Sequence, residues 1–495
     1  MLTRTAKTAG ISLAGLGLIG GIVFAVAVMT TDQPGPFTSI AAWFILPLVF
    51  YCGLILLAIG FIGDHLRRRQ SRNNRPSNRF QIDFTPPRMR RLLYWGAPLC
   101  LLTLFATVLC AYQAYEFTES TVFCASVCHA VMEPERVTHV ISPHAEVSCS
   151  TCHVGHTAAQ YIEAKLFGIE ELYHLLRNDF PRPIPTPIQR MEPVRENCTG
   201  CHWDQNYWGK VHREYSHYIT ANDNQLWNLQ MNVKVGGMYR LSGEGEGIHW
   251  HMKLGPQVFY IATDERLDTI PWVKLISEQG EETIYQSTEE PLAEEAWDSF
   301  EVREMTCVDC HNRPAHQFKA PILAIDDAIA REWMSPSLPE VKAQGVKLLA
   351  DQSYLTKEEA VVTIRSRFYD FYRENHPEIL ESRRGDVDRA AETLGRIYRQ
   401  NFFPEMKADW RSYSDNIGHF LSDGCFRCHD GLHVDEQGNT ISDDCSLCHD
   451  IVVQGPEDEI ESDAAGLSFR HPVDFGLPIR ELGKCADCHD GSLGQ

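Results

Sequence analysis

The sequence predicts a mainly α-helical fold in which three N-terminal transmembrane helices precede a large external part with little regular structure. Two observations predict this architecture: three long apolar stretches near the N-terminus, and seven copies of a cysteine motif spread over the remaining chain. The composition of the 495 residues, 44% hydrophobic and 22% charged, is that of a folded chain and excludes a disordered or collagen-like protein. Within the external part we expect a small antiparallel β insert and a helical segment.

Three apolar stretches without charged residues reach the length of about 20 residues that spans a bilayer. They run from about Ile11 to Met29, from Ile40 to Ile62 and from Leu92 to Tyr112. A cleaved signal peptide is the alternative for the first stretch, but its apolar run is longer than that of a signal peptide, and a second stretch follows closely. We therefore predict a three-helix membrane anchor over residues 1–115.

The charge distribution predicts how this anchor is oriented. Residues 1–91 hold 11 Lys and Arg against 3 Asp and Glu, whereas the rest of the chain holds 34 against 63. Because arginine-rich loops face the cytoplasm, the loop 64–91 and the N-terminus lie there, and the chain after Tyr112 is periplasmic. The anchor then sits in a bacterial inner membrane. The acidic external part excludes nucleic acid as a partner, since nucleic acids bind basic surfaces.

The 17 cysteines divide into two groups by position. Three lie in the apolar stretches, where a thiol behaves as a small apolar group: Cys52, Cys100 and Cys110. The other fourteen form seven pairs, and histidine follows each pair directly. The first pair, Cys124 and Cys128 before His129, has three residues between its cysteines. Six pairs have two: Cys149, Cys152 and His153; Cys198, Cys201 and His202; Cys307, Cys310 and His311; Cys425, Cys428 and His429; Cys445, Cys448 and His449; Cys485, Cys488 and His489.

The C-x-x-C-H spacing is the attachment signature of c-type haem. Two thiols bond the vinyl groups of the porphyrin, and the adjoining imidazole reaches the iron. Zinc binding and structural disulfides are the alternatives, but zinc needs two such cysteine pairs per ion, and neither alternative requires histidine after every pair. The sequence therefore predicts seven covalently bound c-type haems, numbered 1 to 7 in chain order.

Each low-spin haem iron takes a second axial ligand, and 13 histidines of the external part lie outside the motifs. Spacing along the chain does not assign a distal histidine to a particular haem, because such ligands come from remote segments. Five histidines are preferred as distal ligands from their closeness to the motifs or their local context: His144, His156, His316, His433 and His471.

The motifs divide the external part into four regions. Haems 1–3 occupy residues 116–217, and the haem-free residues 218–305 carry alternating patterns that predict the antiparallel β insert. Residues 306–415 hold haem 4 and then a pattern of period near 3.6, which predicts helices over 325–333, 339–350, 357–374 and 386–401. Haems 5–7 fill residues 416–495, where apolar residues are few and the porphyrins themselves must provide most of the core.

The first two motifs and the segment after them resemble a known family. A membrane span, a short linker, Cys124–His129 with Met132, and then Ser148–His156 resemble the NapC/NirT/NrfH family of membrane-anchored quinol dehydrogenases. Tyr161–Lys165 and Glu170–His174 resemble the quinol-site segment of that family. Three spans and seven haems depart from the family's usual smaller layout. The complete layout is similar to that of inner-membrane heptahaem cytochromes of metal-reducing bacteria.

The resemblance implies a quinol-oxidising site beside haem 1. It implies Met132 as a ligand of that haem iron, and Lys165 with Glu171 as the groups that bind and deprotonate the quinol. Glu170 and His174 are alternates in that role. The chemistry is consistent, since quinol oxidation releases protons that a carboxylate or imidazole accepts, and an ammonium group stabilises negative charge on oxygen. The alternative is that these residues are solvated charges on an amphipathic helix.

We therefore expect a quinol:cytochrome c oxidoreductase. It would take electrons from menaquinol or ubiquinol of the membrane quinone pool and pass them to periplasmic c-type cytochromes. The acidic exterior favours an acceptor with a basic face. Two alternatives remain open: an electron-conduit subunit of a larger membrane complex whose other membrane subunits handle the quinone, and a multihaem terminal reductase of a small oxyanion such as nitrite. A reductase needs an open iron site in a pocket.

Overall fold

The structure is a computed structural model of the chain. It describes residues 2–30, 45–70, 87–127, 129–155, 157–186, 194–202, 209–220, 223–236, 247–252, 256–351, 353–477 and 479–492. The chain forms two compact units: Met1–Met132 with Ser148–Ser150, and Glu133–Val147 with Thr151–Gln495.

The first unit is built from long helices. These are α1 (Leu2–Thr30), α2 (Leu46–Gln70) and α3 (Pro87–Glu119), followed by the short α4 (Thr121–Val127). Glycines let α1 and α2 pack backbone to backbone, because a Cβ added at Gly53 would fall 2.3 Å from the backbone nitrogen of Ala14. Small residues at such a contact are typical of helices that associate within a membrane.

The three predicted apolar stretches lie in α1, α2 and α3. Within the described residues, one helix is long and apolar enough to cross a membrane, over Thr5–Val23 in α1, and a shorter apolar stretch covers Leu46–Phe61 in α2. The stretch Leu92–Tyr112 falls inside the 33-residue α3. The beginning of the second predicted stretch, residues 40–44, lies outside the described residues.

The other helices fall into two groups: one lies around the haem motifs, and the other is a separate segment of five helices between residues 321 and 401. The first group is α5 (His129–His139), α6 (Cys149–His153), α7 (Ala158–Arg177), α8 (Val194–Thr199) and α9 (Cys307–Cys310), with α15 (Cys485–Cys488) near the C-terminus. The second group is α10 (Pro321–Ala330), α11 (Val341–Ala350), α12 (Lys357–Asn375), α13 (Pro377–Ser382) and α14 (Arg384–Asn401).

The helical segment α10–α14 has a core of its own. Ile325, Leu349, Ile364, Phe368 and Leu394 are all fully buried there. In α12 the buried residues Ile364 and Phe368 are four positions apart, so this helix turns an apolar stripe towards the core. All four helices predicted from the period of 3.6 are present, and α13 is an additional short helix that was not predicted.

Within the part of the chain that the structure describes, nine strands form two antiparallel sheets. The strands are β1 (Lys210–Ile219), β2 (Gln225–Lys234), β3 (Gln257–Ile261), β4 (Trp272–Ile276), β5 (Glu282–Ser287), β6 (Arg303–Glu304), β7 (His433–Val434), β8 (His449–Pro456) and β9 (Glu461–Leu467). The four-stranded sheet has the order β1-β2-β8-β9, and the five-stranded sheet has the order β6-β3-β4-β5-β7. Val258, Tyr260, Ile270 and Val273 are the buried core of the five-stranded sheet.

Both sheets combine strands from the β insert with strands from the region of haems 5–7. In the four-stranded sheet, Val233 of β2 pairs with His449, a motif histidine on β8. In the five-stranded sheet, Ser287 of β5 pairs with His433 of β7. The expectation of little regular structure is therefore wrong for β7, β8 and β9, because β7 and β8 pair with remote strands of the insert and β9 pairs with β8.

Candidate functional site

One helical turn places the reactive groups of a motif on one side of the backbone. In the haem 3, 4, 5 and 7 motifs, the backbone N–H of the histidine donates to the carbonyl of the first cysteine, at 2.7 to 3.0 Å. The two thiols and the imidazole then project from a single turn, as attachment to one porphyrin requires. In the haem 1 motif, Cys128 lies outside the described residues, and so does the side chain of His129.

Six motif histidines lie beside a second histidine that comes from outside the motifs. The pairs, with the distances between ring centroids, are His153–His316 at 6.3 Å, His202–His144 at 5.9 Å, His311–His249 at 6.3 Å, His429–His251 at 5.8 Å, His449–His419 at 6.2 Å and His489–His471 at 5.9 Å. The fold thus gives each of the haem 2 to haem 7 motifs one partner imidazole.

These distances fit an iron held between the two rings. A metal–imidazole bond is about 2.0 Å long, and the ring centre lies about 1 Å beyond the nitrogen. Two imidazoles on opposite sides of one iron therefore have centroids about 6 Å apart. The observed range of 5.8 to 6.3 Å agrees with that value, so these residues fit haem with two axial histidines.

Hydrogen bonds set the tautomer of four of the partner histidines. Their Nδ1 atoms lie 2.8 to 3.2 Å from backbone carbonyl oxygens: His144 on Pro314, His249 on Val235, His251 on Ile248 and His316 on Glu135. A carbonyl oxygen only accepts, so Nδ1 is the donor and the lone pair lies on Nε2. Metal-binding histidines are commonly oriented in this way by a carbonyl behind the ring.

At two of these partner histidines, His316 and His251, burial lowers the pKa and so favours the neutral imidazole, which is the form that binds a metal. Burial, as the larger cause, and the Arg313 guanidinium together lower the pKa of His316 to about 3. Burial also lowers the pKa of His251, against a smaller opposing effect of the Ile248 carbonyl. Burial lowers the pKa of the motif histidines as well in the haem 2, 4, 6 and 7 motifs.

His433, one of the five preferred distal ligands, is placed differently. Its ring is 2% exposed, and its two nitrogens lie 2.9 Å from an Asp430 carboxylate oxygen and 2.7 Å from the Ile270 carbonyl oxygen. Burial lowers the pKa of His433, but the bonds to Asp430 and Ile270 outweigh it and raise the pKa overall. With an acceptor at each nitrogen, both carry protons and neither has a lone pair for iron.

The remaining preferred histidines divide into two cases. His144, His316 and His471 each lie beside a motif histidine, whereas His156 lies outside the described residues. Three paired histidines were not preferred from the sequence: His249, His251 and His419. His249 and His251 stand two residues apart in a segment far from any motif, and that spacing was the available signal.

Cysteines of successive motifs are neighbours. The Cys198 thiol of the haem 3 motif hydrogen-bonds with Cys307 of the haem 4 motif and is close to Cys152 of the haem 2 motif. Cys310 and Cys425 bring the haem 4 and haem 5 motifs together in the same way. Haems 5 and 6 meet through Cys425 and Cys448, and haems 6 and 7 through Cys445 and Cys485. The attachment sites of haems 2 to 7 therefore follow one another in chain order.

The helix α7 carries the four residues of the expected quinol site. It begins at a capping box, in which the Thr157 hydroxyl accepts from the Gln160 backbone N–H, and ends at Asn178 in the left-handed conformation. Its exposed side chains include a stripe of apolar residues: Ile162, Leu166, Ile169, Leu172, Tyr173 and Leu176. By helical geometry Lys165, three residues after Ile162 and four before Ile169, lies at one edge of that stripe, and its Nζ is 5.0 Å from the centroid of the Tyr161 ring.

The expected pair Lys165 and Glu171 does not share a face of α7. Six residues of helix separate them by about 9 Å along the axis and by more than a quarter turn. Burial raises the pKa of Glu171, and the charge of Glu170 raises it further. Glu170 and His174 are one turn apart on the polar face, where the His174 ring lies 3.0 Å from an Asp179 carboxylate oxygen.

The haem motifs, the histidine pairs and the amphipathic α7 define the class of the protein as a multihaem c-type cytochrome. Residues 90–183 match the NapC/NirT cytochrome c family, N-terminal region. The chain is 35% identical over 493 residues to the cytochrome c-type protein ImcH of Geobacter sulfurreducens. The aligned residues cover 98% of this chain and 96% of that relative. The chain therefore belongs to the ImcH family of c-type cytochromes, with an N-terminal region of the NapC/NirT type.

A second relative supports the resemblance of the first motifs. The chain is 33% identical over 120 residues to the cytochrome c nitrite reductase subunit NrfH of Nitratidesulfovibrio vulgaris, over 23% of this chain and 70% of that relative. No solved structure matches the chain. The family recognised from the motif spacing is thus confirmed.

Proposed function

We propose that the protein is a membrane quinol dehydrogenase that passes electrons through seven c-type haems to periplasmic cytochromes. The observation that carries this proposal is the exposed apolar stripe of α7 with Lys165 at its edge. Such a face suits the membrane surface, because a lysine stem lies among apolar groups while its ammonium reaches polar headgroups. Quinols are lipid-soluble, so a binding face at that surface meets its substrate directly.

Different side chains of α7 bind the quinol and accept its protons. Lys165 donates a hydrogen bond from Nζ to one quinol oxygen and stabilises its developing negative charge. Glu171, which the family resemblance pairs with Lys165 although it lies on another face of α7, accepts a proton, and Glu170 or His174 accepts the second. Oxidation of one quinol to quinone releases two protons and two electrons. The protons leave through these carboxyl and imidazole groups to the periplasm, and the electrons leave to the haems.

The haems are held by the fourteen motif cysteines and by the seven motif histidines. His316, His144, His419 and His471 are the distal ligands of haems 2, 3, 6 and 7, in the pairs given above. Met132 is the residue that the family resemblance assigns to the haem 1 iron. Bound haem supplies reversible one-electron chemistry, whose potential depends on the axial ligands.

The membrane arrangement follows from the charge pattern. Three helices anchor the chain in the bacterial inner membrane, with the N-terminus and the arginine-rich loop 64–91 in the cytoplasm and the haem regions in the periplasm. Periplasmic c-type cytochromes are the electron acceptors. The acidic haem regions favour an acceptor with a basic face and a salt-sensitive encounter.

A quinol analogue tests the proposal directly. Purified protein should be reduced by the quinol, and Lys165→Ala should slow that reduction by about 10²-fold, the usual effect of removing one donor from an oxyanion. Lys347→Ala is the matched control, because Lys347 is an exposed lysine on α11. Dithionite should reduce all variants equally. Equal quinol rates in both variants would contradict the assignment of Lys165, and catalytic oxidation of the reduced protein by nitrite would favour a reductase instead.

The rate should depend on pH through Glu171. Its pKa is raised by burial and by the charge of Glu170, so its base form becomes populated at a higher pH than that of an ordinary carboxyl group. Quinol oxidation should therefore accelerate as the pH rises through this elevated pKa. Glu171→Gln should remove that rise, whereas Glu163→Gln on the same helix should keep it. An unchanged pH profile in Glu171→Gln would exclude Glu171 as the proton acceptor.

A further inference from the structure

The segment Ile248–Met252 forms a single 3₁₀ turn that carries two of the paired histidines. His249 Nδ1 donates to the Val235 carbonyl at 2.9 Å, and His251 Nδ1 donates to the Ile248 carbonyl at 2.8 Å. Both rings are thereby fixed in the tautomer whose lone pair is on Nε2. The turn thus presents two metal-binding nitrogens within three residues.

The turn is held rigidly by its surroundings. Gly247, which precedes it, has φ +82°, and a Cβ at that position would fall 2.3 Å from the Lys234 carbonyl oxygen. Only glycine allows the backbone to approach strand β2 so closely. Between the two histidines, Trp250 packs against the buried core of the five-stranded sheet, next to residues such as Tyr260. Hydrogen bonding and packing therefore orient His249 and His251 together.

The two histidines face different motifs. The His249 ring is nearly parallel to that of His311, with an interplanar angle of 6° and centroids 6.3 Å apart. The His251 ring is nearly perpendicular to that of His429, at 87° and 5.8 Å. An independent contact brings the same two motifs together, since the Cys310 thiol is close to Cys425. The turn therefore lies where the haem 4 and haem 5 sites meet.

We infer that this one turn supplies the distal ligands of two successive haems, His249 to haem 4 and His251 to haem 5. The inference rests on the proposed attachment of haem to these motifs. A rigid turn that binds two irons fixes the position of one haem relative to the other. We call the segment Ile248–Met252, with its two iron ligands, the clip. The difference in ring angle gives the two centres different spectroscopic signatures.

Electron paramagnetic resonance of the full haem-loaded protein tests the clip. His249→Ala should convert one haem equivalent of the seven from low-spin to high-spin iron, and His251→Ala should convert one other. His212→Ala is the matched control, because that exposed histidine on β1 has its Nδ1 beside Asn232. His249→Met and His251→Met retain a ligand and should instead raise the potential of one haem each, as methionine ligation does.

Removal of haem 4 identifies which haem each residue serves. In a Cys307→Ala, Cys310→Ala protein, whose mass should fall by one haem, His249→Ala should add no high-spin signal, whereas His251→Ala should still add one. A new high-spin haem from His249→Ala in that background, or low-spin spectra throughout the single alanine variants, would overturn the inference.

These spectra do not depend on quinol oxidation, so failure of the quinol assay and failure of the clip are distinguishable. A protein with the mass of the bare polypeptide would instead refute haem attachment itself.

Discussion

The helical segment α10–α14 and the C-terminal region 416–492 are folded by different means. The helical segment buries large apolar side chains completely, among them Ile325, Phe368 and Leu394. In the described residues of 416–492, Ile451 is the one buried hydrophobic residue, while Phe475 and Leu477 are more than half exposed. A segment with so little buried apolar area lacks the main driving force for folding.

The difference teaches where the core of each region comes from. Helices α10–α14 carry their own core in the sequence, whereas residues 416–492 contribute three haem attachment sites and strands that join remote sheets. Three porphyrins provide large apolar faces at the places where side chains do not. Folding of the C-terminal region should therefore depend on cofactor attachment, and folding of the helical segment should not.

The largest expected effect follows from withholding haem. Protein produced without haem attachment should lose ordered structure in 416–492, because its core is missing, while α10–α14 remains folded on its side-chain core. Hydrogen exchange with mass spectrometry should find fast exchange throughout β8 and β9 and slow exchange in α12 and α14. Equal protection of both regions in the haem-free protein would contradict the comparison, and the haem-loaded protein is the control.

The same contrast explains what could be predicted from the sequence. The helices of the helical segment were predicted nearly to their ends, because their cores repeat with the local period of 3.6. The pairing of β2 with β8 was not predicted, because it joins residues more than 200 positions apart, such as Val233 and His449. Local patterns determine local elements, and strand pairing across the chain depends on the tertiary fold.

Prediction of the candidate site from the sequence is limited in the same way. The motif cysteines and histidines were identified from adjacent residues, since one turn determines their geometry. Closeness to a motif predicted the distal ligands less well. It favoured His433, whose ring nitrogens are hydrogen-bonded to Asp430 and to the Ile270 carbonyl, and it did not favour His249 or His251. Whether a histidine has its lone pair directed at an iron depends on the carbonyl behind its ring, which the sequence does not reveal.

The second largest effect should come from a buried ion pair between α10 and α11, whose carboxylate also contacts strand β1. Lys342 Nζ lies 2.6 Å from an Asp326 carboxylate oxygen, with side chains 3% and 5% exposed. The same carboxylate accepts from the Tyr218 backbone N–H and faces His217 on β1. Asp326→Ala leaves the Lys342 charge buried without its partner and should lower the free energy of unfolding by about 3–5 kcal/mol.

The pH dependence of this variant should reveal the cause. Burial lowers the pKa of Lys342, and Asp326 opposes that effect. Without Asp326 the pKa of Lys342 in the folded protein should fall further below its value of about 10.4 in the unfolded chain. At a pH between these two pKa values, the unfolded chain therefore binds one more proton than the folded protein. Stability of Asp326→Ala should therefore rise with pH across that window. The double variant Asp326→Leu, Lys342→Met should recover most of the loss. If it does not, packing rather than charge explains the effect.

The smallest effect should come from one methyl group in the helical core. A Cβ at Gly345 on α11 would lie 2.8 Å from Ile325 Cδ1 and 3.1 Å from Leu394 Cδ2, both in fully buried side chains. Overpacking of about 1–3 kcal/mol should exceed the gain in helix propensity of about 1 kcal/mol, so Gly345→Ala should destabilise the fold.

Gly385→Ala is the matched control for that substitution. Gly385 lies in the first turn of α14, and a Cβ there would meet no atom within 4 Å. Alanine at this site should stabilise the protein by about 0.4–1 kcal/mol, since it restricts only the unfolded chain. Chemical denaturation of both variants measures the difference. The two substitutions should change the stability in opposite directions, because the side chains around Gly345 are tightly packed and those around Gly385 are absent. A stabilising Gly345→Ala would mean that the helical core is packed less tightly than its complete burial indicates.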